Sequence, residues 1–198
     1  MRNLVTGASG FLGSHLVEAL LSRGENVRVL IRPTSKKDQL KSLGVELVYG
    51  DLNDIQSLKQ AMQEIDRVYH SAAFATDWGT WEMARCANVT GVSNLLQAAL
   101  EADISKFIHV STTDVYGHPD YSADEDAPYR MRGWPYGDTK IESERLVWMY
   151  HLQHGLPITI VRPVSIYGPR SLTLVLEIVE LLKTVKWSTS ERVINLQD

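Results

Sequence analysis

Val5–Leu16, VTGASGFLGSHL, is the stretch whose reading decides the fold. A short apolar run, Leu4-Val5, leads into Gly7-x-x-Gly10-x-x-Gly13, and an amphipathic helical pattern begins at once. Strand, glycine turn and helix in that order are the context a dinucleotide fingerprint requires. Gly7 allows the tight turn, Gly10 lets backbone amides approach a pyrophosphate, and Gly13 lets the helix pack closely on the strand. Ser9, Phe11 and Leu12 complete the turn into a helix N-terminus, whose free N–H groups and positive dipole end suit phosphate. The alternative is a structural turn without a ligand.

Working outward, a helix is expected over Gly10–Arg23, with Leu12, Leu16, Ala19 and Leu20 buried and Gly24 as the stop. Asn26–Ile31, NVRVLI, reads as a buried, β-branched strand. The residue closing this strand bears on cofactor choice. A carboxylate there would hold the ribose 2′-hydroxyl of NAD, whereas an arginine suits a 2′-phosphate. Here it is Arg32, followed by Pro33-Thr34-Ser35-Lys36-Lys37. Arg32 and Lys36 therefore point to NADP, with NAD as the alternative and a solvated basic loop as the competing reading.

Gly44–Tyr49 is the third expected strand and runs into Gly50-Asp51-Leu52; taken alone, Asp51 could be the N-cap or a turn residue before the helix expected near Asp54–Met62. Strand four, Arg67–Ser71, ends in His70-Ser71-Ala72-Ala73, small residues that admit a close ligand, with His70 packed at the strand end. The aromatic loop Phe74–Trp81 is either a pocket wall or a satellite hydrophobic cluster. One helix is expected from about Thr80 to Ala102, with Cys86 given no chemistry, then a strand over Lys106–Ser111. A helix over Tyr136–His154, a strand over Pro157–Val161 and a helix over Leu172–Lys183 complete the pattern. Six strands alternating with helices make an α/β fold with a doubly wound parallel sheet of Rossmann type.

Tyr136 and Lys140 stand four apart, so one helix face can present both. A phenol with a pKa near 10 is a poor base at neutral pH, and a neighbouring ammonium favours its ionised form. Thr112 lies upstream at the end of strand five. Such a group can pass a proton to or from a substrate oxygen while a nicotinamide exchanges hydride.

These motifs together resemble the extended short-chain dehydrogenase/reductase superfamily, the NAD-dependent epimerase/dehydratase group. The residues are TGASGFLG, Asn88-Val89-x-Gly91-x-x-Asn94-Leu95-Leu96, Val110-Ser111-Thr112-Thr113-Asp114-Val115-Tyr116-Gly117, Tyr136-x-x-x-Lys140 and Arg162-Pro163-x-x-x-Tyr167-Gly168-Pro169. The resemblance implies that Asp51-Leu52 lines the adenine and that Ala72 and Ala73 approach the cofactor. Asn88 would brace the active-site strand, and Thr112 would hydrogen-bond the substrate oxygen beside Tyr136. Lys140 would reach the nicotinamide ribose, and backbone at Pro163 and Val164 the carboxamide. Segment IRPTS resembles the dihydroflavonol-reductase and hydroxysteroid-dehydrogenase branch. Dehydratases of the superfamily carry an acidic pair after the active Ser/Thr, and Thr113-Asp114 supplies one carboxylate, which argues against elimination.

The resemblance fades after Lys183. The expected organisation is a cofactor-binding domain over 1–184 with the Thr-Tyr-Lys site, a divergent tail over 185–198, and a substrate lobe largely absent. The function implied is an NAD(P)-dependent oxidoreductase interconverting a secondary alcohol and a ketone on a small molecule. A nucleotide-sugar 4-epimerase with bound NAD and a non-catalytic NADP-binding regulatory or scaffold protein are the alternatives.

Composition narrows the classes further. The 198 residues include 44% hydrophobic and 22% charged side chains, as in an ordinary globular domain. A net charge of −4 gives no reason to expect nucleic acid or an anionic membrane as partner, and a homodimer is compatible with it. One cysteine, Cys86, fits a reducing compartment and excludes an intrachain disulfide framework. The first strand starts at Arg2 with no room for a leader, and no apolar run reaches ~18 residues, so the cytoplasm is the expected location. His151 and His154 lack a third ligand, and no metal site is expected.

Overall fold

The computed structural model describes residues 1–76, 79–117, 119, 122–171 and 179–183. Six strands form one sheet: β1 (Arg2–Thr6), β2 (Asn26–Ile31), β3 (Glu46–Tyr49), β4 (Arg67–His70), β5 (Lys106–Val110) and β6 (Ile158–Val161). All pairs are parallel and the order is β3-β2-β1-β4-β5-β6. Order reverses between β1 and β4, so the carboxyl ends of these two strands open a crevice on the sheet, the usual ligand position in such folds. In register, Val5 of β1 lies between Val29 of β2 and Tyr69 of β4.

Helices α1 (Phe11–Ser22), α2 (Asp38–Ser42), α3 (Ile55–Ala61), α4 (Trp81–Arg85), α5 (Gly91–Glu101) and α6 (Pro135–His154) connect the strands. Two cores lie on the sheet. One gathers Leu4, Leu58, Met62, Val68, Leu95, Leu96 and Phe107; the other gathers Val5, Val17, Val29, Ile31 and Leu40. Apolar residues from the same strand, Leu4 and Val5, feed opposite cores because successive side chains point to opposite faces.

Local chemistry explains the boundaries. Asp54 caps α3 by accepting from the backbone N–H groups of Gln56 and Ser57, so the expected helix start becomes a cap. Pro135 opens α6, where its missing N–H costs nothing, and Gly155 closes it with φ +71. The buried face of α1 is Gly13, Ser14, Val17 and Leu20, while Ala19 is exposed and Leu12 and Leu16 are half-buried. Leu20 is buried as expected, but the face is turned from the other leucines because Gly13 packs on the Gly7–Ala8 backbone and Val17 joins Leu20 in the core around Val5.

The expected helix over Thr80–Ala102 is three pieces. Between α4 and α5 the chain makes a π turn, Cys86–Thr90, a form frequent at functional sites. Cys86 is exposed there, not part of an apolar face. The short α2 and a 3₁₀ turn over Thr113–Tyr116 had no sequence signal. Residues 179–183 are helical, and the rest of the helix expected over Leu172–Lys183 and the tail 185–198 lie outside the described residues. The compact body holding all six strands is Met1–Val164; Ser165–Asp198 forms a separate unit.

A Cβ built on Gly13 would sit 2.2 Å from the Gly7 carbonyl oxygen. The neighbour is backbone, so it cannot swing away. Gly13→Ala should destabilise the fold by roughly 1–3 kcal/mol, read as a lowered urea midpoint; an unchanged midpoint would show that α1 can lift off the turn.

Candidate functional site

A cleft of about 320 Å³ opens at the carboxyl ends of β1, β2 and β4. Gly7, Ser9 and Gly10 form its floor, Arg32 and Ser35 one lip, Asp51, Leu52 and Asn53 a wall, and Ala72, Ala73 and Phe74 the other wall. Gly7 adopts φ +74, and a Cβ there would lie 2.6 Å from the Ala72 nitrogen, so only glycine lets these two segments meet. At Gly10 a Cβ would meet nothing nearer than the Gly7 oxygen at 3.2 Å, and that space belongs to the cleft. Gly10 is also the N-cap of α1 with no side-chain cap, so first-turn amides remain for an anion. This uncapped, glycine-floored cradle fits a dinucleotide pyrophosphate.

The remaining cofactor candidates divide. Phe11, Leu12 and Gly13 belong to the first turn of α1 rather than to the wall; Gly13 acts by its contact with Gly7. Lys36 is exposed and lies outside the wall, whereas Ser35 lines it. Lys37 sits 5.4 Å from the Tyr49 ring centroid, a cation–π contact. Asp51 Oδ1 accepts from the Asn53 backbone N–H at 2.9 Å and from its side-chain amide at 3.2 Å. Asp51 is thus a turn residue and cleft wall together, and Asp54 takes the cap. Thr6 and Ser71, within the quoted motifs, also line the cleft, as do Asn53 and Ala87, positions that no motif marked.

Asn88 does not brace β5. Its Oδ1 accepts from Phe74 N–H at 2.8 Å, and its amide donates to the Phe74 carbonyl at 3.2 Å and to Thr139 Oγ1 at 3.0 Å. It therefore ties the cleft wall after β4 to the first turns of α6. The π turn is what places this buried amide between them.

Those turns of α6 carry Tyr136 and Lys140. Asp138 fixes the approach to the helix, accepting from the backbone N–H groups of Arg132 and Gly133 at 2.9 Å each. Tyr136 is half-buried and Lys140 is 1% exposed. Thr112 caps the 3₁₀ turn by accepting from Asp114 N–H at 3.2 Å. A Cβ on Gly137 would lie 3.5 Å from Asp114 Cβ, so the Thr112 turn packs beside Tyr136. Pro163 joins the same region: its carbonyl accepts from Thr113 N–H at 3.1 Å, while Val164 is exposed.

Arg162 organises the loop between Thr112 and α6. It forks onto buried Glu144 with Nε at 3.1 Å from both oxygens and Nη2 at 2.7 Å. Nη1 donates to Tyr116 Oη at 2.7 Å and to the Glu125 carbonyl at 2.8 Å. Tyr129 donates to Glu144 at 2.8 Å. Burial, then the Glu144 carboxylate, pushes the Tyr129 phenol up, which disqualifies it as a base. Sequence patterning marked Arg162 within a motif but missed its pairing with Glu144, which lies 18 residues away on another element.

Behind Lys140 lies a polar chain inside the sheet. Its Nζ donates to the Val110 carbonyl at 2.7 Å and stands 3.3 Å from His109 Nε2. His109 stacks on His70 with centroids 5.3 Å apart, and His70 Nδ1 is 2.7 Å from Thr6 Oγ1. His70 is fully buried, as a packed strand-end histidine should be. Among the described residues no group of three metal-ligating side chains occurs, and no helix is long and apolar enough to cross a membrane.

Comparison with known proteins agrees with this geometry. The model of the NAD dependent epimerase/dehydratase family matches residues 3–183. Sterol demethylase protein B of Methylococcus capsulatus is 40% identical over 175 residues, 85% of this chain and 52% of that protein. A 4-hydroxy-2-methyl-3-oxo-4-farnesyl-3,4-dihydroquinoline-1-oxide ketoreductase of Stigmatella aurantiaca is 33% identical, over 94% of this chain and 57% of its own. A dTDP-glucose 4,6-dehydratase structure from Streptomyces venezuelae, with NAD and TYD bound, superposes at a TM-score of 0.84 and 31% identity, covering 92% of this chain and 62% of that one. A UDP-glucuronic acid 4-epimerase from Bacillus cereus in complex with UDP-glucuronic acid and NAD gives 0.77 and 36%, over 86% and 58%. The chain spans about half the length of the curated relatives it matches.

Burial first, then the Lys140 charge, pushes the His70 imidazole down to about 3. An unfolded histidine titrates near 6.5, so between these values the unfolded chain holds the extra proton. Stability is therefore full above about pH 6.5 and falls as pH drops toward 3. His70→Gln should flatten the dependence of unfolding free energy on pH between 4 and 6 by about one proton, or ~1.4 kcal/mol per pH unit. Denaturant melts across that range measure it, and an unaltered slope would mean that His70 is protonated in the folded chain.

Proposed function

The chain belongs to the NAD dependent epimerase/dehydratase family, an enzyme family, and from that premise we propose that it is an NADP-preferring oxidoreductase interconverting a secondary alcohol and a ketone. The observation that carries the cofactor choice is the lip of the cleft. Arg32 and Ser35 stand where β2 ends, and no carboxylate occupies that strand end. A guanidinium fork and a hydroxyl suit a 2′-phosphate. Asp51 and Leu52 would take the adenine, Gly7–Gly10 and the α1 amides the pyrophosphate, and Ala72 and Ala73 the ribose side.

When bound, the nicotinamide supplies hydride exchange with the substrate carbon. The chain's own residues handle the proton. Lys140, held from behind by β5, presents its charge along the helix face it shares with Tyr136 and favours the phenolate. Tyr136 Oη then takes the proton of a substrate hydroxyl in oxidation or returns it to a carbonyl oxygen in reduction. Thr112, at the end of β5, orients that oxygen. Phe74 and neighbouring walls exclude water from one side of the cleft.

The ketoreductase relative and the 2-alkyl-3-oxoalkanoate reductase of Shewanella oneidensis, 33% identical, support carbonyl reduction. So does Thr113-Asp114, which offers one carboxylate where elimination chemistry uses a pair. A second reading, a nucleotide-sugar 4-epimerase, is favoured by the NAD complexes among the structural relatives. Co-purified cofactor separates the two: retained NAD supports the epimerase, and an empty or NADP-loaded cleft the reductase.

By titration calorimetry NADPH should bind more tightly than NADH, by roughly ten- to a hundredfold for one charge-assisted contact. Arg32→Asp should reverse the order, and equal affinities would end the argument for NADP. In a protein that carries this domain with its substrate-binding remainder, Tyr136→Phe should abolish turnover and leave NADPH affinity nearly unchanged. Normal kcat in that variant would place the base elsewhere.

A further inference from the structure

Lys140 is an ammonium sealed in the protein. Among the described residues no carboxylate oxygen lies within 4 Å of it, and the two partners of its Nζ, the Val110 carbonyl and His109 Nε2, both come from β5. An ammonium only donates, so beside it His109 Nε2 must carry a lone pair. Ser143 makes the opposite demand on the same nitrogen. Its single hydroxyl proton goes to the Lys140 carbonyl at 2.9 Å. Its oxygen, 3.3 Å from His109 Nε2, is left to accept, which needs an N–H there.

With the Ser143 hydroxyl turned to that carbonyl, one nitrogen cannot satisfy both, and the charge on Lys140 decides. Beside the ammonium the hydroxyl can rotate to donate to the Nε2 lone pair instead. A bond from a charged donor is about twice as strong as a neutral one, so the ammonium prevails while it lasts. We propose that His109 is a positioning residue for Lys140, whose imidazole switches tautomer with the lysine charge. With the Nδ1–H form it accepts from the ammonium; with the Nε2–H form it donates to Ser143 when Lys140 is neutral. The inference rests on the Tyr136–Lys140 site proposed above, since it concerns what holds that lysine in place.

Three further observations support it. Burial pushes Lys140 down to about 8, so both charge states fall in an accessible range. Burial, then the charges of Lys140 and His70, keeps His109 well below its usual range, so it stays a neutral imidazole able to switch. His109 Nδ1 and His70 Nε2, both inside the sheet, have no partner, so neither tautomer is locked from behind. Of the other charged or titratable groups, Glu144 on α6 favours the ammonium and is itself engaged by Arg162, the residue after β6, and by Tyr129; Tyr136 and Asp138 stand on the preceding turn, where Asp138 is taken up by the amides of Arg132 and Gly133. His70 on β4 is anchored to Thr6, the residue before Gly7, so the chain of contacts runs from the nucleotide turn to the lysine.

Nitrogen-15 NMR of the histidine side chains in the cofactor-free 198-residue chain reads the tautomer directly. His109 should be Nδ1–H at pH 6.5 and convert to Nε2–H with a midpoint near that of Lys140. In Lys140→Met it should be Nε2–H throughout. A single tautomer from pH 6.5 to 10 in the native chain, or Nδ1–H in Lys140→Met, would overturn the proposal. Carbon-13 NMR at Lys140 Cε adds a second readout. His109→Phe removes the acceptor and should lower the lysine midpoint by about one pH unit, while His109→Gln should restore part of it; equal midpoints in all three proteins would also refute it. None of these measurements needs turnover, and NADPH titration of the same samples tests the cofactor reading separately.

Discussion

The approach of one backbone to another at the first turn is the constraint on which the site depends. Gly13 of α1 lies against the Gly7 carbonyl, and Gly7 lies against Ala72 beyond β4. No side chain fits between them. The contact seats the helix N-terminus directly over the end of β1 and brings the β4 extension alongside, which makes the glycine floor and the alanine wall of one cleft. Everything further from the turn, including the Arg32 lip and the Asp51 wall, is placed by strands whose register is set against β1.

The second half of the site is built on a different principle. Helix α6 buries Asp138, Thr139, Lys140, Ser143 and Glu144 along with Ile141 and Val147. Burying so many polar groups is tolerable only because each has a partner, for most of them on another element. Asp138 is matched by loop amides, Thr139 by Asn88, Lys140 by β5 and Glu144 by Arg162. These bonds have direction, as apolar contacts do not, so they fix the rotation of α6 and with it the heading of Tyr136. Removing one partner would leave a buried charge or dipole unpaired, a loss several times larger than the net worth of the bond itself.

Asn88 and Arg162 connect the two halves. Asn88 spans from the cleft wall at Phe74 to Thr139, and Arg162 gathers Tyr116, Tyr129 and Glu144 around the loop that follows Thr112. The residues proposed to handle the proton are thereby referred to the same sheet as the cleft proposed for the cofactor. The proposed alcohol–ketone reaction needs that common frame, because hydride and proton leave neighbouring atoms of one substrate.

The sequence alone determined the parallel α/β class, the six strands to within two residues at each end and the glycine turn with its helix. It also placed Arg32, Thr112, Tyr136 and Lys140 at strand ends or on one helix face. Those features are local: periodicity, turn chemistry and i,i+4 spacing are written in adjacent residues. The tertiary structure decided what local pattern could not express. It turned α1 so that Gly13 and Ser14 face inward while Ala19 faces out, and split the expected long helix at a π turn that leaves Cys86 exposed. It left Lys36 outside the cleft and drew Ser35 into it. It sent Asn88 to Phe74 and Thr139 instead of β5, and assembled the Thr6–His70–His109–Lys140 chain from three strands and a helix. The Asn88–Thr139 bond and the Thr6–His70–His109–Lys140 chain join groups dozens of residues apart, which only the packed sheet brings about.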